Sequence, residues 1–160
     1  MTPHPGCAPA DFRKRSVPSR TEGTPVYPRI RNISFDCHDT YALAGFWAAV
    51  LGYARHSEDA PGDPEAALLP PDDATPNLFF QEVPEEKVTK NRLHICLEPV
   101  DRTRDEEVER VLGLGATVVA DRRRADGTGW AVLADPEGNE FCVVRSAGER
   151  LATTTVEDQL

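Results

Sequence analysis

Apolar and polar positions alternate along this chain in one order, and that order occurs twice. Residues 29–37 place Arg31, Ile33, Phe35 and Cys37 on one face against Ile30, Asn32, Ser34 and Asp36, which predicts a strand with one apolar side. The stretch after it sets Leu43, Phe46, Trp47, Val50 and Leu51 at helical spacing, with Asp39 or Thr40 as N-cap and Gly52 as the stop. Strands are expected at 53–57, around 65–69 and at 77–83. Five prolines within 61–76 require the middle one to be short or an edge.

The second half repeats this. Residues 92–98 put Leu93, Ile95 and Leu97 on one side and His94, Cys96 and Glu98 on the other. Thr103 and Glu106 form a capping-box pair ahead of Val108, Val111 and Leu112, and Gly115 ends that helix. Strands follow at 116–121, 129–134 and 139–145, separated by turns at 125–127 and 135–138. Ile33 and Ile95 are 62 apart, as are Asn32 and His94, while Phe80 and Phe141 are 61 apart. Such a period argues for duplication. The expected fold is α+β: two tandem βαβββ modules, about 29–84 and 91–146, whose sheets curl around a shared cleft lined by the polar sides of their strands.

The ends read differently. Residues 1–28 hold six prolines and few large apolar groups, the composition of a disordered leader ahead of a folded unit at 29–147. Residues 148–160 read as a flexible tail. The 160 residues suffice for one domain with its own core. No apolar run approaches the roughly 18 to 20 residues of a membrane span, and no signal-peptide pattern opens the chain, so a cytoplasmic protein without a membrane partner is expected.

Charge narrows the partners. The leader carries four basic and two acidic side chains, so the remainder holds −11 of a net −9. An acidic domain repels phosphate backbones, which argues against nucleic acid. Four cysteines, Cys7, Cys37, Cys96 and Cys142, form no CxxC pair and read as free thiols: Cys37 and Cys142 small and buried, Cys7 exposed. Asp135-Pro136-Glu137-Gly138-Asn139 reads as a turn delivering the last strand, since it lacks the spaced oxygen ligands of a calcium loop. The Arg122-Arg123-Arg124 run reads as a solvated loop.

Three stretches carry a family likeness: ALAGFWAAVLGY at 42–53, FQEVPEEKVTKNRLHICLE at 80–98 and GTGWAVLADPEGNEFCVVRS at 127–146. Together they make the chain resemble the vicinal oxygen chelate superfamily of glyoxalases, bleomycin-binding resistance proteins and extradiol dioxygenases, and within it the glyoxalase-like domain subfamily. The resemblance implies module pairing within a chain or across a homodimer. It also implies a cleft whose metal-dependent members draw one ligand from the first and last strand of each half. Those four positions fall here on Asn32, Gln81, His94 and Cys142, with Glu140 two residues from Cys142.

That set differs from the resemblance's expectation. A hard, oxygen-activating metal takes carboxylate and imidazole donors; here His94 alone is an ordinary ligand, and Cys142 stands where a carboxylate is expected. Zinc held by His94, Cys142 and Cys96 is the thiolate alternative. The expected function is therefore binding of a small organic molecule in the cleft without an essential metal. Its contacts would be Asn32, Phe79, Gln81, His94, Trp130, Glu140 and Cys142, with His94 the best candidate for a catalytic role. The alternative is a metal-dependent lyase, isomerase or dioxygenase, with a divalent metal on His94 and Gln81 and either Glu140 or Cys142.

Overall fold

The computed structural model describes residues 28–157, with side chains described to residue 152. The leader expected over residues 1–28 lies outside them except for Pro28, and so does Cys7. The elements are β1 Asn32–Cys37, α1 Thr40–Leu51, β2 Ala54–Arg55, β3 Glu65–Leu69, β4 Asn77–Glu82, β5 Cys96–Leu97, α2 Arg104–Gly113, β6 Thr117–Asp121, β7 Ala131–Ala134, β8 Glu140–Val143 and α3 Ala147–Glu157. Two four-stranded sheets result, ordered β1-β4-β3-β2 and β5-β8-β7-β6. These are one topology twice, the two βαβββ modules that the repeat predicts.

The helix ends follow from local chemistry. Asp39 caps α1 by accepting the Ala42 N–H at 2.8 Å, and Gly52 ends it in the left-handed conformation at φ 71°. Thr103 and Glu106 form the reciprocal capping box of α2. The expected tail instead carries α3, and the sequence held its signal. Ser146 Oγ accepts the Glu149 N–H at 3.3 Å while the Glu149 carboxylate accepts the Ser146 N–H at 2.8 Å, a second capping box.

Of the strand expectations, one is met and one changes. β3 is short but central rather than an edge, because Pro64 and Pro70 flank the ladder instead of interrupting it. The strand expected over 92–98 shrinks to Cys96–Leu97, the two residues in register with β8. The period does not carry over to register either. Phe35 pairs with Phe80, but Leu97 pairs with Val143 rather than Phe141. That offset is two residues, so every side chain keeps its face.

One apolar cluster joins the modules. Leu43, Phe46, Trp47 and Val50 of α1 pack with Leu68, Leu78 and Phe80 of the first sheet and with Val108, Leu133, Phe141 and Val143 of the second half. The Trp47 and Phe141 rings meet edge-on at 5.2 Å between centroids. Polar contacts reinforce the join. The buried Trp47 Nε1 donates to Asp135 at 3.1 Å, and Glu137 accepts the His38 and Asp39 N–H groups at 2.8 Å each. The 135–139 turn therefore does more than deliver β8: it docks the second module onto the start of α1. At the other end of α1, Arg110 donates to the Ala49 and Val50 carbonyls, which the helix leaves without internal partners.

Candidate functional site

A cleft between the modules is lined from both halves, with Ser34 and Asp36 on the polar side of β1 and His94 and Glu140 from the second half. It is the larger of two cavities that bear on the candidate residues. The larger, about 870 Å³, lies between the modules, walled by Ile33, Phe35, Ile95 and Phe141 and rimmed by Asp36, Glu85, Glu86 and Glu137. The smaller, about 590 Å³, opens on the second sheet and is lined by Val119, Arg122, Trp130, Val132 and Cys142, with Lys87–Lys90 along one side. His94, Glu140 and Lys87 line both.

The candidate residues divide accordingly. His94, Trp130, Glu140 and Cys142 converge on the smaller cavity. Asn32 on β1 and Phe79 and Gln81 on β4 belong to the first sheet and line neither cavity. Phe79 is buried, and Asn32 is engaged locally, accepting from the Asn77 amide at 3.2 Å.

The smaller cavity is built from both strand order and a loop. Cys96 pairs with Cys142, and Cys142 with Val132, so these side chains share the face turned away from the core. The register of β6 shifts between Val118 and Ala120, and Val119 in that bulge joins the wall. Lys90 closes one side by donating to Glu140 at 2.6 Å, which holds the Glu140 carboxyl below the ordinary glutamate range. Lys87 is 3.9 Å from the same carboxylate.

Lys87, Lys90 and Arg122 were not singled out by the sequence. Lys87 and Lys90 lie in a loop without periodicity, and Arg122, expected in a solvated run, sits at the mouth of the cavity. Arg123 of that run is tied to Asp121 and Asp105. The side of the wall holding Arg122 depends on how β6 pairs with β7, which the sequence pattern does not specify.

Beside this cavity, one ligand atom each of His94, Cys96 and Cys142 lie within 4.8 Å of one another. His94 and Cys96 are exposed, and Cys142 is buried. Burial, followed by the neighbouring Cys96 thiol, pushes the Cys142 thiol up to about 11. Cys37, expected in the core, is buried there, and burial pushes its thiol up to about 12.

This donor set does not fit a hard divalent cation. Such an ion takes oxygen-rich, near-octahedral coordination, whereas the nearby carboxylate, Glu140, is already paired with Lys90, and two of the three converging donors are sulfur. Two thiols and an imidazole match zinc instead.

The duplicated βαβββ architecture is that of the vicinal oxygen chelate class. The glyoxalase-like domain profile matches residues 32–144, and the chain belongs to that family. Among solved structures, a glyoxalase/bleomycin resistance protein/dioxygenase family enzyme from Burkholderia phytofirmans aligns at 20% identity and TM-score 0.53, over 72% of this chain and 97% of its own. The fosfomycin resistance protein FosX from Mesorhizobium loti aligns at 18% and TM-score 0.57, over 79% of this chain and 99% of its own. A FosX mutant from Listeria monocytogenes, solved with Mn(II) and dihydroxypropylphosphonic acid, aligns at 18% and TM-score 0.58, over 79% of this chain and 96% of its own. At these identities the likeness is one of fold. No curated protein sequence matches the chain. Among the described residues, no helix is long and apolar enough to cross a membrane.

Proposed function

We propose that this chain is a small-molecule-binding protein of the glyoxalase-like family, acting in the cytoplasm without an essential hard metal ion. The observation that carries this reading is the convergence of Trp130, His94, Glu140 and Cys142 on one open cavity of about 590 Å³. Its mixture of an aromatic slab, valines and a few convergent polar groups is what small organic ligands use. Asn32 and Gln81 face away from it within one chain. In this reading the chain works as a homodimer, and Asn32, Phe79 and Gln81 join a ligand site only through that pairing.

Thermal-shift screening of the chelator-treated full chain tests this. A ligand present at a hundredfold its Kd stabilises the native state by about 2.7 kcal/mol. The expected result is stabilisation that is lost in Trp130→Ala and reduced in His94→Ala, with an unliganded Tm close to that of the wild type. Stabilisation indifferent to both substitutions rejects the site. Light scattering reports the dimer, and a monomer at working concentration rejects the shared cavity.

A second reading has its own observation, the clustering of His94, Cys96 and Cys142. In it His94, Cys96 and Cys142 would hold zinc, which would supply Lewis-acid chemistry to a ligand in the cavity. Metal analysis of the purified chain separates the two. One zinc per chain, lost in His94→Ala and in Cys96→Ser, replaces the metal-free reading, whereas tight stoichiometric Mn(II) overturns both.

A further inference from the structure

Cys96 and Cys142 have a relationship that neither ligand binding nor the fold requires. They are direct partners on adjacent parallel strands, and their side chains project from the same face. Adjacent strands lie about 4.7–4.9 Å apart, inside the roughly 4.4–6.8 Å range of Cα separations that a disulfide spans. The two sulfur atoms are within 4.8 Å of each other, with a His94 ring nitrogen inside the same radius. The remaining described cysteine, Cys37, is buried in the core, where its thiol is near the Gln81 carbonyl at 3.7 Å.

Access is unequal within the pair. Cys96 is exposed and Cys142 is buried. A peroxide arriving from solvent therefore meets Cys96 first, and the second sulfur waits directly beside it. Susceptibility to oxidation follows thiolate character and exposure, and a neighbouring resolving cysteine diverts the product to a disulfide.

We infer that Cys96 and Cys142 form a site of reversible oxidation by hydroperoxides, with Cys96 as the attacking and Cys142 as the resolving thiol. The Cys96 thiolate attacks one peroxide oxygen, the O–O bond breaks, and hydroxide leaves, taking up a proton as water. The Cys142 sulfur then attacks the resulting Cys96 sulfenic acid. The S–O bond breaks, and that hydroxide leaves as water with the Cys142 proton, relayed by His94. Two thiols and one hydrogen peroxide thus give one disulfide and two waters. The inference stands independently of what the cavity binds, but the cross-link would lock β5 to β8 beside the Cys142 wall of the cavity.

Peptide mapping of the chelator-treated full chain, before and after hydrogen peroxide, is the test. Trypsin releases Cys96 in residues 93–102 and Cys142 in residues 125–145. The expected product is these two peptides joined, about 2 Da lighter than their sum and separated again by dithiothreitol. In Cys142→Ser, or Cys142→Ala if serine does not fold, Cys96 should be trapped by dimedone as sulfenic acid. In Cys96→Ser the link should be absent and Cys142 unmodified. Oxidation of Cys96 to sulfinic acid with Cys142 still reduced overturns the inference. So does a link from Cys7 to either residue in its place, or no change at peroxide doses that oxidise free cysteine.

Discussion

The first and second sheets share one strand order but differ in what they do with the face turned away from the core. On the first, Ala67 and Phe79 point that way and are 3% and 6% exposed. On the second, Trp130 is 43% and Val119 50% exposed, and the thiol of Cys96 is open. A duplicated module buries its core face in both copies because both need one; the opposite face is free to differ. Here the central strands of one copy are buried on both faces while Ser34 and Asp36 at its β1 edge stay exposed, and the other copy carries the more open face. Function is then expected to follow the open sheet and stability the closed one.

Phe80→Ala should have the largest effect. Phe80 is fully buried in the first sheet, stacked on Phe35 at 5.4 Å, and its truncation should cost about 3–5 kcal/mol in denaturant unfolding. A loss under about 1 kcal/mol would break the assignment of this sheet as scaffold.

Asp135→Ala comes next. It strips the Trp47 indole, the Asn139 and Glu137 N–H groups and the Asn139 amide of their shared acceptor, and should cost about 1–3 kcal/mol. Burial raises the Asp135 carboxyl above the ordinary aspartate range. A raised carboxyl binds its proton more tightly folded than unfolded, so its share of stability grows as the pH falls through its folded pKa and is lost as the pH rises through it. Removing it should therefore destabilise less at pH 7 than near pH 4, as urea titrations would show.

Glu140→Gln should be smaller and local. Lys90 keeps the Glu140 carboxyl low, so this pairing stabilises the fold above the ordinary glutamate pKa and fades as the pH falls through the lowered one. The substitution should speed amide exchange across 87–91 and leave the Tm nearly unchanged; unaltered exchange would show that the pair does not hold the loop. Trp130→Ala should cost the least, within about 0.5 kcal/mol, while abolishing ligand stabilisation. A large drop in Tm would instead make Trp130 a structural residue and blur the contrast between the sheets.

Much of the fold was legible because it rests on local rules. Asp39, Gly52 and the Thr103–Glu106 box mark helix ends by backbone chemistry alone, and Ser146–Glu149 carried the same signal for α3. The alternation of Ile33, Phe35 and Cys37 named the buried face of β1. Alternation at 92–95 predicts more strand than β5 holds, because apolar periodicity does not report where ladder pairing with β8 begins. The gathering of His94, Trp130, Glu140 and Cys142 rested on face assignments that hold within one sheet, where parity survives a two-residue change of register. Asn32, Phe79 and Gln81 lie on the other sheet and line neither cavity, a separation that alternation along one strand does not report.

The sequence by itself determined the helix boundaries and which side of each strand is apolar, since these depend on neighbours two to four residues away, and the repeat, which is that local pattern met twice. Only the tertiary structure decided that Trp47 and Phe141 join the modules through their apolar faces, that Lys87, Lys90 and Arg122 wall the cavity, and that Cys96 lies beside Cys142. Those outcomes depend on register and on packing between segments dozens of residues apart, where no local propensity selects the partner.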